Sequence, residues 1–568
     1  MSFKGVLRNV RKHGIRGMLD IRKKRNAQKQ NIAQVEAELE PLRKLAFACR
    51  ESLKASDNDL NDSAVRAHLD EYLSIAGPTL LRLLDESAGY SVSRSMIVED
   101  LDEYFSIAGP SLLKQVDKSI EGEGFDSAIL ERFSVYFLIA GKKALHKGGN
   151  QLVSEFLAEL KERETPQFRE WLRKEYITKR IPEAYAMHAS DPLEKKAVFL
   201  QPRSGVNQAF KYMYKYLNEK TDYKVAFHEL HRAECPYALF YWGAERFAAD
   251  AASAKVVFLH ESNELLGHTK IREDSKVVQL WHGCGVLKKI GLDTAGQKGS
   301  KSLAGYRDYP EYNYFDMVTI AGPDLTWVFE QFMGIPRESG IIQPIGVSRT
   351  DYFFDDAYIK RCYEKLYERI PQARDKKVVL YAPTYRGRGN SRVAPDALDI
   401  PYMAKELGDD WILIIKQHQT VAECPEIPEP YRDSFAYDMT RGKGMDIAEL
   451  MTVSDVCVSD YSSVVFEFAL FDRPMAFFVY DLEEYIDKRG LYYDFDEVTP
   501  GPLCYTTEEL VDYLAHIDER FDKDEVAAFC KRFMCACDGH STERILHYIE
   551  TGEIRYSDAV TEQMQQND

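Results

Sequence analysis

The stretch Ser459-Asp-Tyr-Ser-Ser-Val-Val-Phe466 closes the apolar run 455–459 and predicts a strand, a tight turn and the start of a helix. A helix that begins there directs its free N–H groups and its positive dipole end toward a ligand above the sheet edge, where phosphate binds well. Ser462 and Ser463 are predicted to cap the helix. Because 473–481 predicts the next strand, the unit is βαβ. The pattern indicates a nucleotide-type site, although an ordinary capped helix has the same residues.

Three more predicted strands, 277–280, 378–381 and 411–415, end in loops with ionisable side chains. A histidine at a strand end is placed for proton transfer, and an arginine can bind phosphate with two parallel hydrogen bonds. Each residue alone is also compatible with hydrogen-bonded scaffolding, but four such loops in one half of the chain favour a site. The candidates are His282, Gly283, Lys288 and Lys289 after the first strand, Arg386 after the second, and Lys416 and His418 after the third.

Together these motifs resemble the CDP-glycerol glycerophosphotransferase family, the polymerases and primases of teichoic acid and capsule. The matching segments are 279–283 with 287–293, 346–351, 382–386, 416–418, 459–463, and 481–490 with 500–502. They occur in order between residues 195 and 550, over two thirds of the chain. Two positions depart from the family pattern: its His-Pro pair is His418-Gln419 here, and its aspartate after the serine turn is Glu467.

The resemblance implies transfer of glycerol phosphate or ribitol phosphate from a CDP-polyol to a hydroxyl of a lipid-linked or polymer acceptor, with release of CMP. The acceptor hydroxyl must lose its proton as it attacks the β-phosphorus. His282 is the predicted general base, from its loop and from the family analogy. The predicted catalytic residues are His282 and His418, and the predicted substrate-binding residues are Gly283, Lys288, Lys289, Arg386, Lys416, Ser462, Ser463 and Glu467, of which Glu467 is assigned to the cytidine ribose.

Composition argues against several classes of protein, namely nucleic-acid-binding, metal-binding and membrane-spanning proteins. The net charge of -17 argues against general nucleic-acid binding, whereas a pyrophosphate needs only a local group of cations. No Asp-x-Asp pattern in a strand context and no zinc spacing among the ten cysteines is present, so we expect no cofactor and no metal. The sequence contains neither an apolar run of eighteen residues nor a signal peptide, which predicts a protein on the cytoplasmic side that does not span the membrane.

Residues 1–30 contrast with the acidic remainder because ten lysines and arginines stand against one acid, Asp20. Apolar residues at 3, 6, 7 and 10 keep helical spacing. The segment predicts a basic amphipathic helix on an anionic membrane surface, which would make the protein peripheral to the cell membrane. The alternative is a solvated helix that docks on the acidic body of the same protein.

A repeat with a 32-residue step follows, marked by Tyr72, Tyr104 and Tyr136. Each of the first two copies ends in Gly-Pro, which predicts a helix that ends at glycine and a new one that begins at Pro78 or Pro110. Such a period indicates stacked helical units. We expect the tyrosines to pack in the core rather than to bind sugar, and the repeats to bind a protein partner or to self-associate.

From residue 195 onward, buried-type strands alternate with helices, which predicts an α/β fold with parallel sheets. Two facing Rossmann-like domains form the glycosyltransferase-B (GT-B) architecture, which the resemblance also implies. A sugar-nucleotide glycosyltransferase of this fold and an inactive helical-repeat scaffold remain as alternatives. The predicted segments are a membrane-surface helix at 1–30, a helical-repeat region at 31–190, an N-terminal Rossmann-like acceptor domain at 191–354, a linker helix at 355–377, a C-terminal Rossmann-like CDP-donor domain at 378–555 and a tail at 556–568.

Overall fold

The computed structural model divides the chain into two compact units, residues 1–176 with 231–244, and residues 177–230 with 245–568. It describes residues 3–55, 63–86, 91–123, 125, 127–144, 151–202, 205–297, 299–387, 392–418, 421, 423–440, 442 and 444–567, with the backbone alone for 3–22, 25, 63, 66, 85, 91–96, 98–99, 122–123, 141–144 and 567. Within these ranges, no helix combines the length and the apolar composition that crossing a bilayer requires.

The first unit is helical. Its helices are α1 (Phe3–Ala55), α2 (Ser63–Glu86), α3 (Ser91–Lys118), α4 (Ala128–Ala144), α5 (Gln151–Arg163) and α6 (Pro166–Glu175). The helix predicted for 1–30 is the first part of α1, which continues without a break to Ala55. The apolar face expected at residues 3–10 lies outside the described side chains.

Each copy of the repeat is one long helix, and the repeated tyrosines form a buried row. Tyr72, Tyr104 and Tyr136 are almost inaccessible to solvent, and neighbouring rings lie 6.2 and 6.4 Å apart. The expected core role of the tyrosines is therefore confirmed. Each ring belongs to a different helix, so the row joins α2, α3 and α4 through aromatic contacts.

The expectation that glycine ends each helix is wrong, because Pro78 and Pro110 lie inside α2 and α3. A Cβ atom on Gly77 would lie 2.4 Å from Val135 Cγ1 and 3.1 Å from the Tyr104 hydroxyl. The glycine therefore permits a close approach of neighbouring helices. Tertiary packing overrides the local tendency of the Gly-Pro pair to end a helix.

The second unit contains two parallel six-stranded sheets. The first has the order β2-β1-β3-β4-β5-β6, with β1 (Glu194–Gln201), β2 (Lys224–Glu229), β3 (Ala254–Leu259), β4 (Lys276–Gln279), β5 (Met317–Thr319) and β6 (Ile342–Gln343). Its helices are α7 (Ile181–His188), α8 (Lys211–Lys220), α9 (Tyr237–Ala251), α10 (Leu303–Asp308) and α11 (Thr326–Met333), of which α9 belongs to the first unit up to residue 244. The predicted βα alternation is thus observed.

The second sheet has the order β12-β11-β10-β7-β8-β9, with β7 (Lys377–Tyr381), β8 (Trp411–Ile415), β9 (Ala436–Asp438), β10 (Val456–Ser459), β11 (Met475–Phe478) and β12 (Leu503–Cys504). Its helices are α12 (Asp356–Arg369), α13 (Ile400–Leu407), α14 (Ile447–Val453), α15 (Val464–Phe468), α16 (Leu482–Arg489), α17 (Thr507–Ala515), α18 (Ile517–Arg520) and α19 (Lys523–Phe533). The strand order reverses between β7 and β10, and the crevice at their carboxyl ends is where such sheets bind ligands.

The last two helices are α20 (Ser541–Thr551) and α21 (Asp558–Asn567), and α20 corrects the predicted domain boundary at 555. Its residues Ile545, Leu546 and Ile549 pack into the core of the first sheet, beside Phe199 and Met213. Removal of this apolar helix face from water stabilises the first Rossmann-like domain. The first domain is therefore completed by a helix that follows the second domain in the sequence.

Candidate active site

The loop after β4, residues 280–290 (the base loop), meets the Ser462-Ser463 turn that follows β10. A Cβ atom on Gly283 would lie 3.4 Å from the Ser463 hydroxyl oxygen. A Cβ atom on Gly285 would lie 2.4 Å from the Phe466 ring, so glycine is needed for this approach. The structure thus brings together the histidine loop and the serine turn that the sequence placed at two separate strand ends. Their roles toward a substrate remain predictions.

His282 is exposed, and its orientation is defined by the base loop. The adjacent Trp281 has a φ of 57°, unusual for a residue with a side chain, and its ring packs on Phe329 and Phe332. His282 Nδ1 lies 3.0 Å from the carbonyl oxygen of His260. Because a carbonyl only accepts, Nδ1 carries a proton, and in the neutral form of the ring Nε2 therefore holds the lone pair. The geometry therefore suits Nε2 of His282 for proton abstraction.

His260, which the sequence analysis did not single out, lies at the end of β3 below His282. Its imidazole is buried, and neither ring nitrogen has a hydrogen-bond partner among the described residues. Burial lowers the pKa of His260 to about 3, with further contributions from His282 and Arg349. The ring is therefore neutral, and Phe210 packs edge-on against it at 4.7 Å. The only feature of the sequence that points to His260 is its position directly after an apolar strand.

Arg349 and Glu467 form a buried pair between the two Rossmann-like domains. Arg349 Nη1 donates to the carbonyl oxygen of His282, and Arg349 Nη2 lies 3.3 Å from Glu467 Oε2. Glu467 is 3% exposed. The assignment of Glu467 to a ribose is therefore corrected, because its carboxylate is buried against a guanidinium. Arg349 lies in the segment 346–351, one of those that match the family. The sequence did not predict a role for this arginine.

Arg386 also differs from its prediction as a phosphate donor. Its Nε and Nη2 donate to the two carboxylate oxygens of Asp481 at 2.6 and 2.9 Å. Its Nη1 donates to Asp460 at 2.9 Å and to the carbonyl oxygen of Thr384 at 2.6 Å. Two carboxylates thus neutralise the guanidinium and occupy most of its N–H groups. Arg386 therefore joins the loops after β7 and β10 through hydrogen bonds and is not available as an unpaired cation.

Lys288 crosses from the base loop to the second domain. Leu287 and Lys289 pair with the backbone of 490–492 through hydrogen bonds of 2.9 and 3.1 Å. Burial lowers the pKa of the Lys288 amine to about 8; nearby Asp460 opposes this shift, whereas Arg489 and Arg386 add to it. Lys288 and Arg489 therefore concentrate positive charge at the crevice between β7 and β10. Arg489 lies in a segment that matches the family, 481–490, but was not predicted as a site residue.

Lys416 turns away from the crevice. Its Nζ donates to the carbonyl oxygens of Met439 and Met445 at 2.5 and 2.7 Å, and burial lowers the pKa of its amine. The predicted phosphate contact is therefore replaced by a structural role in the loop before α14. His418 is exposed, and Tyr385 packs edge-on against its ring at 4.9 Å. Lys289 is exposed beside Gly490.

The serine turn caps its helix only weakly. The Ser462 hydroxyl accepts from the Val464 N–H at 3.4 Å, whereas Ser463 makes no capping hydrogen bond. The capping prediction thus holds for Ser462 and is wrong for Ser463. The Ser463 hydroxyl lies instead toward Gly283, in the gap between the domains.

A cleft of about 640 Å³ lies away from these loops, between α8, α12 and α14. Its lining includes Lys211 and Lys215, which are paired with Asp446 and Asp355 at 2.9 and 2.8 Å. These two lysines are already neutralised, whereas Arg361 also lines the cleft. Among the described residues, no group of three or more His, Cys, Asp or Glu side chains is arranged to hold a metal ion.

Comparison with known proteins identifies the family. The model of the CDP-glycerol:poly(glycerophosphate) glycerophosphotransferase family matches residues 183–551. The chain belongs to this family. The match includes both parallel sheets together with the base loop and the serine turn, and it confirms the resemblance that the motifs indicated.

Curated relatives of the chain include teichoic acid enzymes whose names carry either ribitol phosphate or glycerol phosphate. The teichoic acid poly(ribitol-phosphate) polymerase of Bacillus spizizenii is 34% identical over 302 residues, which are 52% of this chain and 47% of the relative. The teichoic acid ribitol-phosphate primase of the same organism is 30% identical over 53% of this chain and 76% of the relative. The teichoic acid poly(glycerol phosphate) polymerase of Bacillus subtilis is 29% identical over 67% of this chain and 52% of the relative. The chain thus spans about half the length of two of these relatives.

Among solved structures, the wall teichoic acid polymerase TagF matches with a TM-score of 0.54 and 22% identity, over 71% of this chain and 99% of that one. At this identity the likeness concerns the fold. Two Rossmann-like domains of GT-B type are therefore confirmed.

Proposed function

We propose that the protein transfers a polyol phosphate, glycerol phosphate or ribitol phosphate, from a CDP-polyol to a hydroxyl of a polymer or lipid-linked acceptor in teichoic acid or capsule biosynthesis. The observation that carries the proposal is that the base loop, which holds His282 with its Nδ1 bonded, meets the Ser463 turn at Gly283, while Lys288 of the same loop lies near Arg489. A base, a phosphate-binding turn and a group of cations are the parts that phosphoryl transfer requires.

In the proposed reaction, His282 Nε2 takes the proton of the acceptor hydroxyl while its oxygen attacks the β-phosphorus of the donor. The bond between the β-phosphorus and the bridging oxygen breaks, and CMP leaves with the electron pair. Lys288 and Arg489 stabilise the negative charge on the pyrophosphate, and the Ser463 hydroxyl hydrogen-bonds to a phosphate oxygen. His418 is assigned to the leaving phosphate at the rim of the site. The product is a phosphodiester, and the imidazolium returns its proton to solvent.

The direct test is incubation of the purified protein with CDP-glycerol or CDP-ribitol and a synthetic lipid-linked acceptor, followed by quantification of CMP and of the product. A phosphodiester formed with release of CMP supports the proposal. Formation of a glycoside from a sugar nucleotide would instead assign the protein to the glycosyltransferase class. The faster of the two CDP-polyols identifies the donor, which the ribitol and glycerol names of the relatives leave open.

The transfer is proposed to need neither a divalent metal nor a cofactor, because Lys288 and Arg489 supply positive charge where a metal would otherwise act. Turnover should therefore continue in excess EDTA. Loss of turnover in EDTA and its return on addition of Mg²⁺ would overturn this part of the proposal.

The protein is proposed to work at the cytoplasmic face of the cell membrane, held there by residues 1–30. Ten cations in this segment would attract anionic head groups, each contributing about 1 kcal/mol near the surface. Attachment there would bring the site to a lipid-linked acceptor. The helical repeats are proposed to bind a protein partner or a second copy of the chain, for which the exposed Phe47 and Ile75 offer apolar contact.

A further inference from the structure

We propose that Arg349 is a positioning residue, which holds the general base in place only while the two Rossmann-like domains are together. The inference rests on the proposed function, in which His282 is the base. In this inference, one buried guanidinium connects the base loop of the first domain with the helix that follows the serine turn of the second domain.

Arg349 is anchored by the first domain. It lies on a 3-10 turn, Ser348–Phe354, between β6 and α12. Asp351 on the same turn accepts hydrogen bonds from the backbone N–H groups of Ser541 and Thr542 at 3.1 and 2.7 Å, at the start of α20. The hydroxyls of Ser348 and Thr542 lie 2.7 Å apart. The backbone of Arg349 therefore belongs to the rigid part of the domain whose core α20 completes.

The side chain of Arg349 reaches two partners that belong to different domains. One is the carbonyl oxygen of His282, in the base loop. The other is the carboxylate of Glu467 on α15, which begins directly after Ser463. His282 is thus held twice, at its ring by the carbonyl oxygen of His260 and at its backbone by Arg349. The position of Nε2 depends on both contacts.

The burial of the pair makes this connection sensitive to domain position. Arg349 is 9% exposed and Glu467 is 3% exposed, and Arg349 Nε has no hydrogen-bond partner among the described groups. Separation of the domains would break the Arg349–Glu467 contact and let water reach the guanidinium, which would then no longer be fixed on the side of the second domain. The contact between the domains therefore fixes the same side chain that binds the carbonyl oxygen of His282. In this proposal, His282 is correctly oriented for proton abstraction only when the serine turn of the second domain lies opposite the base loop.

The test compares Arg349→Gln, Arg349→Lys, Glu467→Gln and the double variant Arg349→Gln/Glu467→Gln with the wild type. Misplacement of a catalytic group by about 1 Å lowers the rate by about 100-fold, so we expect kcat of Arg349→Gln to fall by that factor while the KM for the CDP-polyol changes less than about threefold. Arg349→Lys should recover part of the rate because it keeps the charge. The double variant should be no slower than Arg349→Gln alone, because the two residues act as one pair.

Lys211→Ala is the matched control, since it breaks an ion pair to Asp446 that also joins the two domains but includes no residue of the base loop. It should keep kcat within about twofold of the wild type. An equal loss in Lys211→Ala and Arg349→Gln would show that any weakening of the domain contact has the same effect, which would overturn a specific role for Arg349.

A second readout does not depend on activity. In protein labelled with ¹⁵N-histidine, the His282 signal, assigned by its loss in His282→Gln, should report protonation at Nδ1 in the wild type and a mixture of tautomers in Arg349→Gln. An unchanged tautomer in that variant would overturn the inference, whether or not CMP is released. Absence of CMP release by the wild type, with the tautomer shift present, would count against the proposed function alone.

Discussion

We predict that Lys288 makes the proposed binding of a CDP-polyol dependent on pH within an accessible range. Burial lowers the pKa of its amine to about 8 in the protein without ligand. About nine tenths of the amines therefore carry a charge near pH 7 and about one tenth near pH 9. A diphosphate beside the amine favours the cation, so binding takes up a proton above pH 8 and weakens as the pH rises further.

The size of the effect follows from what the charge contributes. A hydrogen bond to a charged group is worth about 1.5–3 kcal/mol, which corresponds to a change in Kd of about 10- to 150-fold. The Kd for CDP-glycerol should therefore rise about tenfold for each pH unit above 8 until that limit is reached. Lys288→Arg, which stays charged, should give a nearly constant Kd from pH 7 to 9.5, and Lys288→Met should show the weak binding at every pH.

Isothermal titration calorimetry with CDP-glycerol at pH 6.5, 7.5, 8.5 and 9.5, in two buffers of different ionisation enthalpy, measures both the Kd and the proton uptake. Lys270→Met, which changes an exposed lysine, is the control and should follow the wild type. A wild-type Kd that is constant across this range, or a Lys288→Arg variant with the same decline as the wild type, would refute the placement of the pyrophosphate at Lys288.

The other predictions concern the base, the charge cluster, the repeats and the arm. His282→Ala should lower kcat by about 10²- to 10⁴-fold and leave CDP-glycerol binding within a few-fold, because a general base acts mainly in the transition state; wild-type turnover would contradict the assignment. Arg386→Met leaves two carboxylates without their partner and should lower the free energy of unfolding by about 3–5 kcal/mol in denaturant titrations, whereas an unchanged midpoint would show that the cluster is not structural. Gly77→Ala introduces a Cβ atom 2.4 Å from Val135 and should cost about 1–3 kcal/mol, compared with less than about 0.5 kcal/mol for the exposed Ser74→Ala on the same helix; equal effects would contradict the tight contact. Deletion of residues 1–30 should abolish salt-sensitive sedimentation with phosphatidylglycerol vesicles and preserve turnover on a soluble acceptor, and equal sedimentation of both forms would place any membrane contact elsewhere.

Sequence by itself determined the architecture and predicted the location of the site. The alternation of apolar strands with helices indicated parallel sheets, and the carboxyl ends of parallel strands meet at one edge, so loops that are far apart in the chain were predicted to converge. His282 and Ser463 lie on two such loops, which meet at Gly283 in the structure. The 32-residue step likewise identified the buried tyrosines, since residues at one position of a repeat share one environment.

Only the tertiary structure decided what each charged side chain does within that site. Arg386 and Lys416 occupy the expected strand ends, yet Asp481 and the carbonyl groups of Met439 and Met445 take their N–H groups. Glu467 is paired with Arg349, which comes from the other domain. The local sequence specifies where the backbone places a side chain, because that depends on neighbouring residues and on the alternation of strands and helices. The partner of a charge depends on residues far along the chain, which come within hydrogen-bonding distance only when the domains pack.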